Sequence, residues 1–158
     1  MSKFIYFPSF SAGAMGSSLA KNVKLKNDLS IRFYSDEFPE KYRHTDILIT
    51  AGHHFKKDDY KNDLGLTDKN LVMGDSGGYQ IASGAIKWDM SIRERIFNWL
   101  EHNSDIAMNL DIPPKIKYEG MYEECLKISK DNFKYFADKQ TGKTKFLNVI
   151  QGDDAETY

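Results

Sequence analysis

One short segment, Asp75-Ser76-Gly77-Gly78-Tyr79-Gln80, combines residue types in an order that could do chemistry. It follows an apolar run of strand length, Leu71-Val72-Met73. A carboxylate that ends a β-strand and is followed by glycines and an aromatic residue is typical of a catalytic acid at a strand's carboxyl end. The two glycines allow a sharp turn and the close approach of a flat ligand. The segment therefore predicts that Asp75 is a catalytic acid beside a ligand-binding site.

Two later segments repeat this arrangement. The apolar run 106–110 leads into Asp111, and the run 146–150 leads into Gln151 and Gly152. The carboxyl ends of parallel strands meet at one edge of a sheet, so Asp75, Asp111 and Gln151 are expected to converge there. The alternative is that polar residues follow strands because solvent begins at that point. For one segment the two interpretations are equally supported, and the recurrence favours a site.

Helical patterns separate these strands, which predicts βαβ units on a parallel sheet. The first helix is expected from about Ser91 to His102, with Ser91 and Glu94 forming a capping box. The second is expected over about 120–138, with an apolar side at Tyr122, Cys125, Leu126, Phe133 and Phe136.

The amino-terminal part adds two strand candidates, 3–7 and 46–50, which brings the main sheet to about five strands. Residues 31–34 form either a further short strand or a segment outside this sheet. The charged stretch 56–70 is interpreted as a solvated loop or an irregular helix.

Composition favours a soluble, cytoplasmic domain. Basic and acidic side chains nearly balance, 22 against 23, so overall charge gives no argument for nucleic acid, although a local basic face is compatible with it. The single cysteine, Cys125, is expected to be a buried apolar residue. No apolar stretch predicts a membrane span, and residues 1–4 lack a signal-peptide core.

The 75–80 segment resembles the motif of the tRNA-guanine transglycosylases, the queuine and archaeosine tRNA-ribosyltransferases. These enzymes exchange guanine for a 7-deazaguanine base. Four other segments resemble parts of the family in the same order: Phe7-Pro8-Ser9, residues 47–55, residues 104–111 and Val149-Ile150-Gln151-Gly152. The short, Lys/Asn/Ile-rich chain looks more like the phage branch of the family, which modifies DNA rather than tRNA.

The resemblance implies a (β/α)₈ TIM-barrel fold, with residues 1–158 forming its amino-terminal part, about five strands of an incomplete barrel, and no second domain. Asp75 would handle the proton at the glycosidic bond, and Tyr79 would stack on the base. Asp111 would accept hydrogen bonds from the ring N–H and amine of guanine, since a carboxylate offers only acceptors. Gln151 would donate to the guanine carbonyl, with Gly152 allowing close approach. Ser76, Gly77, Gly78 and His54 would position the substrate.

The implied reaction is a double displacement through a covalent glycosyl-enzyme intermediate. The family's nucleophilic aspartate and its structural zinc site would lie beyond residue 158, so no cofactor is expected within this chain and a second polypeptide is expected to complete the barrel. Polynucleotide (tRNA or DNA) and a 7-deazaguanine base would be the substrates, and a membrane is not expected as a partner. Two further interpretations stay open, a truncated product and a non-catalytic module that binds a purine or nucleic acid.

Overall fold

The fold is a mixed α/β arrangement around a four-stranded, all-parallel sheet. The structure is a computed structural model that describes residues 6–9, 32–114 and 121–150. The strands are β1 (Ile47–Thr50), β2 (Val72–Asp75), β3 (Ile106–Met108) and β4 (Lys145–Leu147). Their order in the sheet is the order in the sequence.

Each pair of neighbouring strands is connected through helix. Between β1 and β2 lie α1 (Ala51–His54) and α2 (Tyr60–Leu64); between β2 and β3 lie α3 (Gly78–Ala82) and α4 (Met90–Asn103). The last connection contains α5 (Tyr122–Lys139), and a 3₁₀ turn, Glu40–Tyr42, precedes β1. Parallel crossovers almost always have one hand, so sequential strand order places successive helices on the same face of the sheet.

Burial along the strands agrees with this one-sided packing. Alternate strand residues, Ile47, Ile49, Val72 and Ala107, are completely buried, whereas the residues between them are only partly buried. Strands covered on both faces would be buried at every position. The core on the helical face includes an aromatic cluster of Phe97, Phe136 and Phe146, whose ring centroids lie 5.0–5.6 Å apart.

The amino-terminal predictions are met in part. Residues 1–5 lie outside the described residues, but Ser9 forms a parallel bridge with Leu48, and the Leu48 N–H donates to the Pro8 carbonyl at 3.0 Å. Residues 32–38 form turns outside the sheet, as one of the two interpretations proposed. Of the two interpretations of the segment 56–70, a solvated loop or an irregular helix, the structure shows a helix, because α2 lies within it and buries Tyr60 and Leu64 completely.

The second long helix has a different buried side from the one predicted. Cys125 and Phe136 are buried as expected, but Phe133 is 45% exposed, and Ser129 and Asn132 take buried positions. Both polar side chains bond backbone: Asn132 donates to the Leu110 carbonyl at 2.9 Å, and Ser129 Oγ accepts from the Ile112 N–H at 2.9 Å. A buried polar group that forms hydrogen bonds costs little, so apolar periodicity alone misplaced this face.

Across the three described ranges, no helix is long and apolar enough to cross a membrane.

The cap of α4 provides a test of the fold. The helix begins one residue before the predicted Ser91, and Asp89 is its N-cap: Asp89 Oδ1 accepts from the Ile92 N–H at 2.9 Å and from Ser91 Oγ at 2.7 Å. We expect Asp89→Ala to lower the thermal unfolding midpoint more than Ser91→Ala, because only the first removes the acceptor for the helix.

The same bonds hold the pKa of Asp89 below its usual range, with the Ser91 hydroxyl contributing most. A group whose pKa is lowered in the folded state stabilises the protein at pH values above its unfolded-state pKa. This stabilisation is lost as the pH falls through the folded-state pKa. The difference between Asp89→Ala and wild type should therefore shrink in acid, as measured by thermal unfolding from neutral to acidic pH. A larger loss of thermal stability in Ser91→Ala than in Asp89→Ala would contradict the Asp89 cap and favour the predicted capping box of Ser91 and Glu94.

Candidate functional site

Asp75 lies where the sequence predicts, as the last residue of β2. It is paired in register with Thr50 of β1 and is only partly buried. Its Oδ1 accepts a hydrogen bond from the Gly77 N–H at 3.3 Å, which turns the carboxylate towards the following loop. A partly exposed carboxylate at the carboxyl edge of a parallel sheet is in the usual position for catalysis.

Two glycines bring α1, which follows β1 directly, into backbone contact with the loop after β2. Gly77 has φ +82°, the left-handed region that favours glycine. A β-carbon added to Gly77 would lie 2.6 Å from the nitrogen of Gly52, and one added to Gly52 would lie 2.9 Å from the Cα of Gly77. Only residues without a side chain fit at both positions, so this pair fixes α1 against the 75–80 segment.

The loop after β2 is joined to the loop after β3 by two further contacts. A β-carbon on Gly78 would overlap the carbonyl oxygen of Asp111 and would lie 2.8 Å from its carbonyl carbon. Ser76 is completely buried, and its Oγ donates to the Asn109 carbonyl at 3.1 Å. Asp75 and Asp111, which are 36 residues apart in sequence, are therefore brought to one edge of the sheet by touching loops.

Tyr79 follows this contact directly and is 72% exposed. It lies in the first turn of α3, which begins at Gly78. An aromatic ring that is mostly exposed gains little from packing, but its face is open to stacking by a flat base.

The other predicted base-binding residues, Gln151 and Gly152, lie outside the described residues, so their convergence on this edge stays a prediction. β3 ends at Met108 and β4 at Leu147, both earlier than the sequence predicts. The Asn109 N–H still donates to the Leu147 carbonyl at 2.8 Å, which carries the pairing one residue beyond β3.

Sequence reasoning missed two polar residues at this edge. The Oε1 of Gln80 and the Oδ1 of Asn109 are buried and have no hydrogen-bond partner among the described residues. The Nε2 atoms of Gln80 and His53 are 3.2 Å apart. A buried acceptor without a donor is costly unless a water or ligand supplies one, so both atoms mark places where a donor is expected. Their sequence signal was weak: Gln80 ends the 75–80 segment, and Asn109 precedes Asp111 by two residues.

His54, predicted to position substrate, is part of a packed aromatic group. It is 8% exposed, stacks on Tyr60 with ring centroids 4.1 Å apart, and its Nε2 is 3.1 Å from the Tyr60 hydroxyl. Burial, assisted by the nearby charges of Lys57 and His53, lowers the pKa of His54 to about 4. These contacts account for a neutral, structural imidazole, and the role in substrate positioning stays a prediction.

Metal binding has no support within the described ranges, where no group of three or more His, Cys, Asp and Glu side chains is arranged to hold an ion. Cys125 is a free, buried thiol, and burial raises its pKa. The described residues therefore do not fit a zinc site.

Comparison with known proteins found no matching family model, no matching curated protein and no matching solved structure.

Gly78→Ala tests the contact between the two loops. In a helix this change usually stabilises a protein by about 0.5–1 kcal/mol. Here we expect a loss of about 1–3 kcal/mol or more, because the new methyl group would displace the Asp111 carbonyl. Urea unfolding measures this free energy. Gly142→Ala is the control, since its added β-carbon would meet nothing within 4 Å and carries only the cost of its positive φ. A stabilising Gly78→Ala would contradict the contact.

The lowered pKa of His54 predicts a loss of stability in acid. Its folded-state pKa of about 4 lies below the ordinary 6.5, so the unfolded chain binds the proton more readily between these values. The free energy of unfolding should therefore fall as the pH drops from about 6.5 to 4, by on the order of 2 kcal/mol after allowance for solvent screening.

The check is urea unfolding across this pH range in two variants. His54→Gln should lack this component of the fall, whereas His102→Gln, at an exposed position of α4, should keep it. Equal pH profiles for His54→Gln and wild type would contradict the assignment.

Proposed function

We propose that the chain is the base-binding part of a guanine transglycosylase, which exchanges guanine in a polynucleotide for a 7-deazaguanine base. The observation that carries the proposal is the contact of Gly78 with the Asp111 backbone. It brings the strand-end acid Asp75, the exposed ring of Tyr79 and a second acid, Asp111, to one edge of the sheet. The resemblance of the 75–80 segment to the transglycosylase motif supplies the reaction.

Guanine fits the chemistry of these side chains. Its Watson–Crick edge presents a ring N–H and an exocyclic amine, which are two donors, and a carboxylate offers acceptors only. Asp111 is assigned to this edge, and Tyr79 to the face of the ring. The base must leave its stack to reach them, which costs a few kcal/mol.

Base exchange involves no net gain or loss of protons. A nucleophilic carboxylate attacks the anomeric carbon, the carbon–nitrogen bond to guanine breaks, and the departing base gains a proton. The incoming base then loses a proton as its nitrogen displaces the carboxylate. We assign this proton transfer in both directions to Asp75. The resemblance places the nucleophile and a structural zinc outside residues 1–158.

The finer description of the fold belongs to the same proposal. Sequential strand order, parallel pairing and one-sided burial support the opening strands of a (β/α)₈ barrel, with the partly buried strand residues facing its interior. We place the protein in the cytoplasm, where its polynucleotide substrate would be found.

Binding of free bases tests the site without requiring catalysis. Equilibrium dialysis with labelled guanine should give saturable binding that adenine does not compete for. Asp111→Asn should weaken it at least about tenfold, because an amide donor would face guanine donors. Tyr79→Ala should cost about 1–3 kcal/mol, and Tyr79→Phe should cost little.

Matched controls are Asp138→Asn, at an exposed position of α5, and Tyr42→Ala, whose ring is 66% exposed. Neither should change guanine binding. Binding that is absent, or equally lowered in the controls, would overturn the proposal.

Exchange itself separates an enzyme from a binding module. Asp75→Asn should keep guanine binding but abolish incorporation of labelled guanine into tRNA or DNA by the protein assembled with its source-cell partners. Guanine binding without incorporation under any assembly would favour the non-catalytic module.

A further inference from the structure

Two adjoining cavities form one continuous groove that begins beside the carboxyl edge. Their volumes are about 600 Å³ and about 510 Å³, and Phe55, Lys56 and Arg95 line both. The larger cavity extends to Gly52 and Gln80, and the smaller one follows α4 to His102. We call this feature the α4 groove.

Cationic side chains line the α4 groove. Lys56 and Arg95 lie at its centre and Lys87 lies at the end near Gln80. All three are exposed, and none forms a hydrogen bond or ion pair with another side chain of the described ranges. Two carboxylates, Asp58 and Asp89, also line the groove.

The two carboxylates only partly offset this set. Asp89 is the N-cap of α4, stays ionised and interacts electrostatically with Arg95, but in the larger cavity it faces three cationic side chains, Lys56, Lys87 and Arg95. Asp58 lines only the smaller cavity, at the far end from Lys87. The end nearest the candidate site therefore keeps a positive charge that is available to an anion.

The floor of the groove is apolar. Trp99 is buried, and its indole N–H donates to the Lys57 carbonyl at 2.9 Å, so the ring is held in place rather than exposed for stacking. Phe55 is half-buried at the junction of the two cavities. The floor therefore does not offer a stacking surface, and contact with a nucleic-acid strand would depend on the cationic side chains, which can follow its phosphate backbone.

The position of the groove connects it with the candidate site. Gly52 and Gln80 line its near end, and Gly52 is in backbone contact with Gly77, two residues after Asp75. A strand with one base at the carboxyl edge would pass its neighbouring phosphates over Lys87, Lys56 and Arg95.

We propose that the α4 groove binds the phosphate backbone of the polynucleotide strand that flanks the target guanine. This inference rests on the proposed function for the identity of the target base, but its binding step is separate. Backbone contacts give affinity and orientation, whereas base contacts give selectivity. The groove thus explains how a chain with balanced total charge can hold an anionic polymer.

The test compares two triple variants that change net charge equally. Lys56→Gln/Lys87→Gln/Arg95→Gln removes the groove cations. Lys127→Gln/Lys134→Gln/Lys139→Gln removes three exposed cations of α5. The probe is a fluorescent single-stranded oligonucleotide with one guanine, made as DNA and as RNA, and anisotropy is measured across a range of salt concentrations. Thermal unfolding confirms that both variants fold.

The groove variant should bind the oligonucleotide at least about tenfold more weakly at low salt. Its slope of log K against log salt should be smaller by about 2, as expected when three phosphate contacts to a single strand are lost. The α5 variant should match wild type, and free guanine should bind all three proteins equally. Equal loss in both variants, or no oligonucleotide binding by wild type, would overturn the inference.

The outcomes separate this inference from the proposed function. Groove-dependent oligonucleotide binding with no guanine binding would support the groove and reject the base site. Guanine binding together with oligonucleotide binding that does not depend on the groove cations would support the base site and reject the groove.

Discussion

Backbone contact between consecutive strand-end loops is the constraint on which the candidate site depends. Gly52 against Gly77 joins α1 to the loop after β2, and Gly78 against Asp111 joins the segments that follow β2 and β3. A single β-carbon at these positions would separate the loops. The buried Ser76 hydroxyl adds a hydrogen bond to the Asn109 carbonyl across the second contact. The absence of a side chain at these glycines therefore lets the backbones touch. This contact brings Asp75 and Asp111 to the same edge of the sheet.

The sheet determines which edge these loops share. Because all strands are parallel and follow sequence order, every carboxyl end lies on one side and the connecting helices pack on one face. The aromatic cluster of Phe97, Phe136 and Phe146 then holds α4, α5 and β4 together. The packed sheet and helices form a scaffold that positions the short segments at the carboxyl edge, as in many α/β proteins whose sites are built from loops.

Buried amide side chains connect this scaffold to its loops. Asn103 donates to the Asp58 carbonyl and accepts from the Lys61 N–H, so the end of α4 holds the segment before α2. Asn70 donates to the carbonyls of Tyr34 and Thr45. These bonds satisfy backbone groups that would otherwise be buried without partners. Among the buried acceptors that have no partner in the described residues, those of Gln80 and Asn109 lie at the carboxyl edge.

The sequence by itself determined the elements whose signals are local. Strands β1, β2 and β3 follow from short apolar runs, α4 and α5 from helical periodicity, and the position of Asp75 from a strand that stops at a carboxylate. The tertiary structure decided what depends on residues distant in sequence: the contact of Gly78 with Asp111, the stacking of His54 on Tyr60, and the burial of Asn132. The Asp89 cap was local but was missed, because Ser91 and Glu94 offered a competing pattern. The physical reason is that periodicity reports which face of an element is apolar, whereas close approach and hydrogen bonding depend on which other element lies against it.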